Sequence, residues 1–371
     1  MSIVADYVVV GAGLTGATIA RLLADAGREV VVLERRGHLG GNVHDYEHPS
    51  GIRVHTYGPH YFRTNSEKIW AFVNRFAPFW RYEAVVRSWV DGRYECWPVT
   101  EEYINRTVGQ GWKPCFRGRP TNFEEACLRI MPPVVYEKFV RGYTEKQWGV
   151  AASSLAASLA GRFEVRSNGD VRLKTHRFQG LPMAGYAQFM EAMLGGIPVF
   201  LHFDYLRCRS EVAARKLLVY TGPIDEFFSY DLGRLRYRCQ RRETHYLPDV
   251  QRFQPVGQVN YPSFADGPHI RILEWTHMAP PGKQAVVSGT VITVEVPTDA
   301  SRPDEYEYPF PDELNRQLYE RYAERARALN NVLFCGRLGE YRYYDMDQAI
   351  ARAMQYALKI LGSPAARDGV R

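Results

Sequence analysis

The apolar pattern is clearest at the start of the chain. Tyr7–Val10 (YVVV) is an unbroken apolar run, the pattern of a strand buried on both faces. Gly11-Ala12-Gly13-Leu14-Thr15-Gly16 follows at once. Ala17–Ala26 then shows helical spacing and stops at Gly27, a good terminator. Val30–Leu33 repeats the buried-strand pattern, with Glu34 at its end, so the opening is a complete βαβ unit. Further on, Phe123–Val150 and Leu314–Leu329 have helical spacing. Val85–Pro98 and Tyr246–Val296 alternate Val, Ile, Tyr and Thr with turn residues, as antiparallel strands do. Tyr341–Leu361 reads as a turn and a final helix N-capped by Asp345. The expected class is α/β: a nucleotide-binding Rossmann-like fold, a helical insertion and an antiparallel β-sheet domain, with the final helix returning to the first domain.

Composition narrows the class without changing it. The chain has 371 residues, 46% hydrophobic and 24% charged, which excludes disordered and fibrous proteins. No uncharged apolar run nears the ~20 residues of a membrane span, and the first residues lack the pattern of a secretory signal. A cytoplasmic protein with no membrane partner is expected. The net charge of +6 fits either a solvated basic surface or a site for a phosphate-bearing ligand. With no dense basic block, nucleic acid is not an expected partner. Arg234–Arg242 is the most basic stretch and is expected to be an exposed strand or loop. The six cysteines form no Cys-x-x-Cys pair, so no metal is expected and free thiols are, several of them buried.

The glycine motif carries the first chemistry. Gly11 permits a tight turn, Gly13 lets backbone approach a pyrophosphate, and Gly16 lets helix pack on strand. The helix N-terminus attracts the phosphates, and Glu34 is placed to accept from a ribose. Arg35, and then the Gly40-Gly41-Asn42 turn, favour an extended FAD over NAD.

Four later segments resemble the UDP-galactopyranose mutases: Tyr57–Thr64 (YGPHYFRT), Gly142–Gly149 (GYTEKQWG), Phe178–Pro182 followed by Gly185-Tyr186, and Gly336–Asp347 (GRLGEYRYYDMD). The likeness runs from about Asp6 to Leu361. It implies an isomerase that interconverts the pyranose and furanose forms of a galactose-type nucleotide sugar. In that family N5 of reduced FAD attacks the anomeric carbon as the diphosphate leaves, and the sugar recloses through another hydroxyl. The resemblance assigns Arg162, on a mobile loop, and Arg271 to the diphosphate, Tyr308 and Tyr343 to hydrogen bonds with it, and Arg337 and His60 to the flavin. Tyr143, Trp148 and Tyr186 are expected in the nucleotide and sugar pocket, while Asp345, Met346 and Asp347 open the helix at the flavin pyrimidine edge. It implies a homodimer. The expected division is an FAD-binding domain at 1–82, 186–238 and 318–371, a helical domain at 99–160, and a sheet domain at 83–98, 161–185 and 239–317.

Two positions depart from the family pattern. Arg63 stands where GPHIFHT has its second histidine, and Arg172-Leu173-Lys174 replaces Asn-Tyr-Phe beside the base. Arg172 and Leu173 therefore join the expected substrate residues, with the nucleotide left as GDP or UDP. The alternatives are a flavin oxidoreductase of the amine-oxidase type and a non-catalytic flavin or nucleotide-sugar binding protein.

Overall fold

The computed structural model describes residues 2–282 and 288–362. The expected domain segments also include residues 1, 283–287 and 363–371, which lie outside the described residues. Ile3–Val10 pairs in parallel with Val30–Leu33 on one side and Val212–Tyr220 on the other. Val199–Phe200 and Val332–Phe334 complete a five-stranded parallel sheet. Val8–Val10 and Val30–Val32, in two neighbouring strands, are buried. Helices Leu14–Asp25 and Met346–Ile360 pack together on one face through Ile19, Leu23, Ile350 and Ala353. Phe227, with Phe203 and Leu206, covers the other. The first helix starts three residues before the expected Ala17, because the glycine turn leads directly into it.

A second sheet has seven strands, in the spatial order Tyr308–Pro309, Tyr237–Leu247, Thr290–Asp299, Arg271–Glu274, Gln258–Asn260, Val86–Val90 and Arg93–Trp97. It is antiparallel except where Gln258–Asn260 runs parallel to Val86–Val90. Asp91 and Gly92 turn the last hairpin with φ of 52° and 75°, the signs a type I′ turn needs. Residues 101–162 form short helices around a core of Tyr103, Ile104, Phe123, Phe139 and Trp148, packed against Val90 of the seven-stranded sheet.

Three expectations need correction. Residues 161–185 give no strand to the seven-stranded sheet. Val165–Arg166 pairs with Val99–Thr100, and Phe178–Pro182 joins Phe62–Thr64 and Phe79–Arg81 in a separate small sheet. Phe123–Val150 is not one helix, because Pro132 and Pro133 break the pattern and a π-turn follows at Tyr136–Arg141. Arg234–Arg242 is not an exposed segment: Arg238 is buried, and Arg242 is ion-paired beneath the sheet.

Asp225 is fully buried; its Oδ2 accepts from Leu235 N at 2.9 Å, and its Oδ1 has no hydrogen-bond partner among the described residues. Burial pushes its pKa up to about 6. The unfolded chain ionises this group near pH 4, so its contribution to stability falls from there to about pH 6 and is flat above. Asp225→Asn keeps an acceptor for Leu235 N and removes the buried charge. Urea unfolding should show a gain on the order of 1–3 kcal/mol at pH 7 and almost none at pH 4.

Candidate active site

The first helix begins at Gly13, which gives no side-chain cap. Its first residues line a cavity with about 1170 Å³ of empty space, its solvent-open part included. The glycine turns at 11–13 and 40–41 meet here: a Cβ on Gly41 would stand 3.1 Å from Gly13 Cα. Gly11, Gly13, Gly16, Glu34, Arg35, Gly41 and Asn42 all line the cavity. Glu34 is held from two sides, by Ala12 N on Oε2 and Arg36 N on Oε1, both at 2.8 Å. Arg35 is paired with Glu226 at 2.8 Å. An uncapped helix start, a backbone-only cradle and a fixed carboxylate fit a dinucleotide. Thr221, Pro303, Asp304 and Tyr306, which sequence reasoning missed, close the cavity.

A second cavity, of about 710 Å³, abuts the first. Asn42, His60, Arg337 and Met346 line both. His60 presents Nδ1 to Gly58 O at 2.7 Å, so that nitrogen carries the proton and donates, leaving the Nε2 lone pair free. Burial, with His55 beside it, holds the imidazole pKa well below its ordinary value. Tyr186 lines neither cavity but sits beneath, its hydroxyl donating to His60 O at 2.8 Å.

Arg271 and Tyr308 line the second cavity beside Tyr343. Arg271 Nε donates to Glu295, whose other oxygen takes Arg242 Nε at 2.8 Å. Arg242 in turn grips Glu307 at 2.7 and 2.9 Å. Burial opposes the Arg271 charge, but Glu295 outweighs it and holds the pKa well above the ordinary value. Gly58 (φ +89°) passes so close that a Cβ would lie 2.6 Å from Glu295 Oε1. Arg337 donates to two backbone carbonyls, Glu307 O and Tyr344 O, at 2.9 and 2.8 Å. Arg162 is exposed, with its guanidinium 4.0 Å above the Tyr343 ring, and makes no ion pair among the described residues. Burial raises the Tyr308 pKa to about 12. Burial also raises that of Tyr143, against the pull of neighbouring Arg271.

Other expected site residues lie elsewhere. Trp148 is a core side chain, edge-on to Phe310 at 5.7 Å, and lines neither cavity. Arg172 is bound to Asp170 at 2.6 Å and Glu83 at 2.8 Å, and Leu173 N donates to Ala84 O; both residues are outside the two cavities. Asp347 lines neither, and Asp345 stands on the second cavity rather than the first. Lys146 explains much of the YTEKQWG motif without touching either cavity. Its Nζ donates to Tyr261 O, Ser263 O and His269 O at 2.9, 2.6 and 3.0 Å, docking the helix on the sheet. The Arg242–Glu295–Glu307 group was missed because strand register, not spacing, assembles it.

A sequence model of UDP-galactopyranose mutase matches residues 138–343, and one of an NAD(P)-binding Rossmann-like domain matches residues 9–76. A probable UDP-galactopyranose mutase of Klebsiella pneumoniae is 36% identical over 98% of this chain and 96% of its own. The chain belongs to the UDP-galactopyranose mutase family. It is thus a mutase, an isomerase. A dTDP-fucopyranose mutase of Escherichia coli is also similar, at 30% identity over 94% of this chain and 96% of its own. A crystal structure of a reduced UDP-galactopyranose mutase superposes with a TM-score of 0.74 and 17% identity, covering 96% of this chain and 94% of that one. A putrescine oxidase superposes at 0.60 and 12% identity, covering 97% and 100%, a likeness of fold alone. Among the described residues of the mutase, no helix is long and apolar enough to cross a membrane.

Glu295 is the buried link of this mutase's arginine pair. Glu295→Gln leaves Arg271 with no ion-pair partner among the described residues and Arg242 with Glu307 alone. Breaking a buried pair costs about 3–5 kcal/mol, so the thermal midpoint should fall clearly while Glu243→Gln, on the exposed strand end, leaves it unchanged.

Proposed function

We propose that this mutase holds FAD in the first cavity and a nucleotide sugar in the second, interconverting pyranose and furanose forms of a galactose-type hexose. The supporting observation is the junction. The dinucleotide cradle runs to Asn42, His60, Arg337 and Met346, and the arginine-rich cavity starts at the same four residues. When bound and reduced, the flavin supplies a nitrogen nucleophile for the anomeric carbon. This chain's own residues do the rest. Arg271, fixed by Glu295, and Arg162, exposed over the Tyr343 ring, hold the charge that develops on the leaving diphosphate. Tyr308 offers a phenol hydrogen bond, and His60 Nε2 accepts a hydrogen bond from a sugar hydroxyl at the junction.

For the nucleotide, the reading favours a pyrimidine. The GDP alternative drew on Arg172 and Lys174 as donors to the base and on space at Leu173, and the Arg172 guanidinium is committed to Asp170 and Glu83. The names of the two curated relatives refer to UDP- and dTDP-linked sugars. This reading keeps the three-part domain division, with residues 161–185 taken out of the sheet domain because they give no strand to the seven-stranded sheet. The homodimer is the assembly this reading adopts.

Anaerobic assays of dithionite-reduced protein with UDP-galactose, dTDP-fucose and a GDP-hexose test the reading. A UDP- or dTDP-sugar should be isomerised at least tenfold faster than the GDP-sugar, with no net consumption of reductant. Full turnover with the flavin kept oxidised would sink it. Gly13→Val, which puts a branched side chain in the cradle, should purify folded but without flavin. Arg162→Ala and Arg271→Ala should each lose about 2–4 kcal/mol of transition-state binding, roughly thirty- to a thousand-fold in kcat/KM.

A further inference from the structure

Arg63 is the cation that this chain carries in place of the second histidine of the family pattern. It lies on Phe62–Thr64, opposite Gln179 of the neighbouring strand, and its side chain is 19% exposed on the wall of the second cavity. Its Nη2 donates to Asp345 Oδ2 at 3.0 Å. The buried Nε has no hydrogen-bond partner among the described residues, so the Asp345 pair is what places the guanidinium.

Asp345 is the N-cap of the final helix, with its N–H tied to Gln348 Oε1 at 3.0 Å. Its second oxygen, Oδ1, accepts from the Tyr343 hydroxyl at 3.1 Å. Arg63 on one oxygen, Tyr343 on the other and the helix-cap bond from the Gln348 backbone together fix the plane of the carboxylate. That plane fixes the direction of the phenol hydrogen bond, and with it the Tyr343 ring. The ring stacks on Tyr308 at 6.2 Å with a 12° interplanar angle. Arg337 lies 4.7 Å from its centroid and Arg162 4.0 Å. Arg162 is thus seated on an aromatic face whose tilt is set two contacts away.

We propose that Arg63 is a positioning residue for diphosphate capture, acting through Asp345 and Tyr343 to seat Arg162 over the Tyr343 ring, which lines the second cavity. A neutral imidazole at this position carries no lasting charge to hold Asp345 at pH 7. The inference rests on the nucleotide-sugar reading above and adds a residue to which that reading gives no role.

The test uses FAD-loaded protein, with UDP alone as the calorimetric probe and UDP-galactose as the kinetic one. Arg63→Met should weaken UDP binding about tenfold and raise KM by a similar factor, with a much smaller change in kcat. Flavin content and thermal midpoint should stay at wild-type values, and Arg63→Lys should recover most of the affinity. In an Arg162→Ala background, Arg63→Met should cost less than twofold, because the residue it acts through is gone. UDP affinity within twofold of wild type in Arg63→Met overturns the proposal, as does a tenfold loss that persists without Arg162. Should Arg63→Met fail to fold or to hold flavin, Asp345→Asn carries the same comparison: it keeps an acceptor for Tyr343 and loses the ion pair. Wild-type protein that binds neither UDP nor dTDP removes the nucleotide-sugar reading itself. Wild-type binding with an unaffected Arg63→Met removes only the relay.

Discussion

Two buried glutamates decide where the cations of the second cavity can stand. Glu295 is shared by Arg271 and Arg242, and Glu307 takes the far side of Arg242. Two negative and two positive groups thus alternate in a low-dielectric layer under the sheet. Such an arrangement repays desolvation only when geometry and hydrogen bonds are both satisfied. Its gain is orientation more than stability. Arg271 reaches the cavity with its Nε already committed, so the rest of its fork can face a ligand without searching for a rotamer. Gly58 is required by the same packing, because no Cβ fits over the pair.

The two helix starts near the junction behave oppositely. The first helix begins at Gly13 without a side-chain cap, leaving its positive end to whatever enters the cradle. The final helix is capped by Asp345, with Gln348 closing the box. Both lie at the carboxyl edge of the parallel sheet, where open α/β folds bind ligands. One end is kept free for an anion. The other is neutralised internally, and its cap takes part in positioning Tyr343.

What the sequence displayed and what it hid follow from the range of the forces involved. The YVVV run, the glycine turn, the helix and Glu34 lie within thirty residues, and each follows from local backbone demands, so this part of the cavity wall was legible, while Thr221, Pro303, Asp304 and Tyr306, brought in from far along the chain, were not. Arg271, Tyr308 and Tyr343 were legible only through resemblance, since nothing near them in the chain marks a site. Arg242, Glu295 and Glu307 are brought together by strand register across separations of 53 and 65 residues, and no local pattern shows that. Arg172 misled in the reverse direction. Asp170, two residues before it, was its partner in plain view, and a close carboxylate outcompetes a distant base. Trp148 sits on a motif that looks like a site because it holds a helix against a sheet, the task Lys146 performs with three carbonyls.

Arg162 and Arg271 differ in how much water surrounds them. Arg162 is exposed, while the Arg271 side chain is 14% accessible and backed by a fully buried carboxylate. Mobile ions screen charges in water over about 8 Å at physiological ionic strength and hardly screen buried ones. On the proposed reading, the pull of Arg162 on an approaching anion therefore fades as salt rises, whereas the grip of Arg271 on an anion already inside does not. Arrival and retention of the ligand thus answer to different properties of the surrounding solution, although both rest on the same side-chain chemistry.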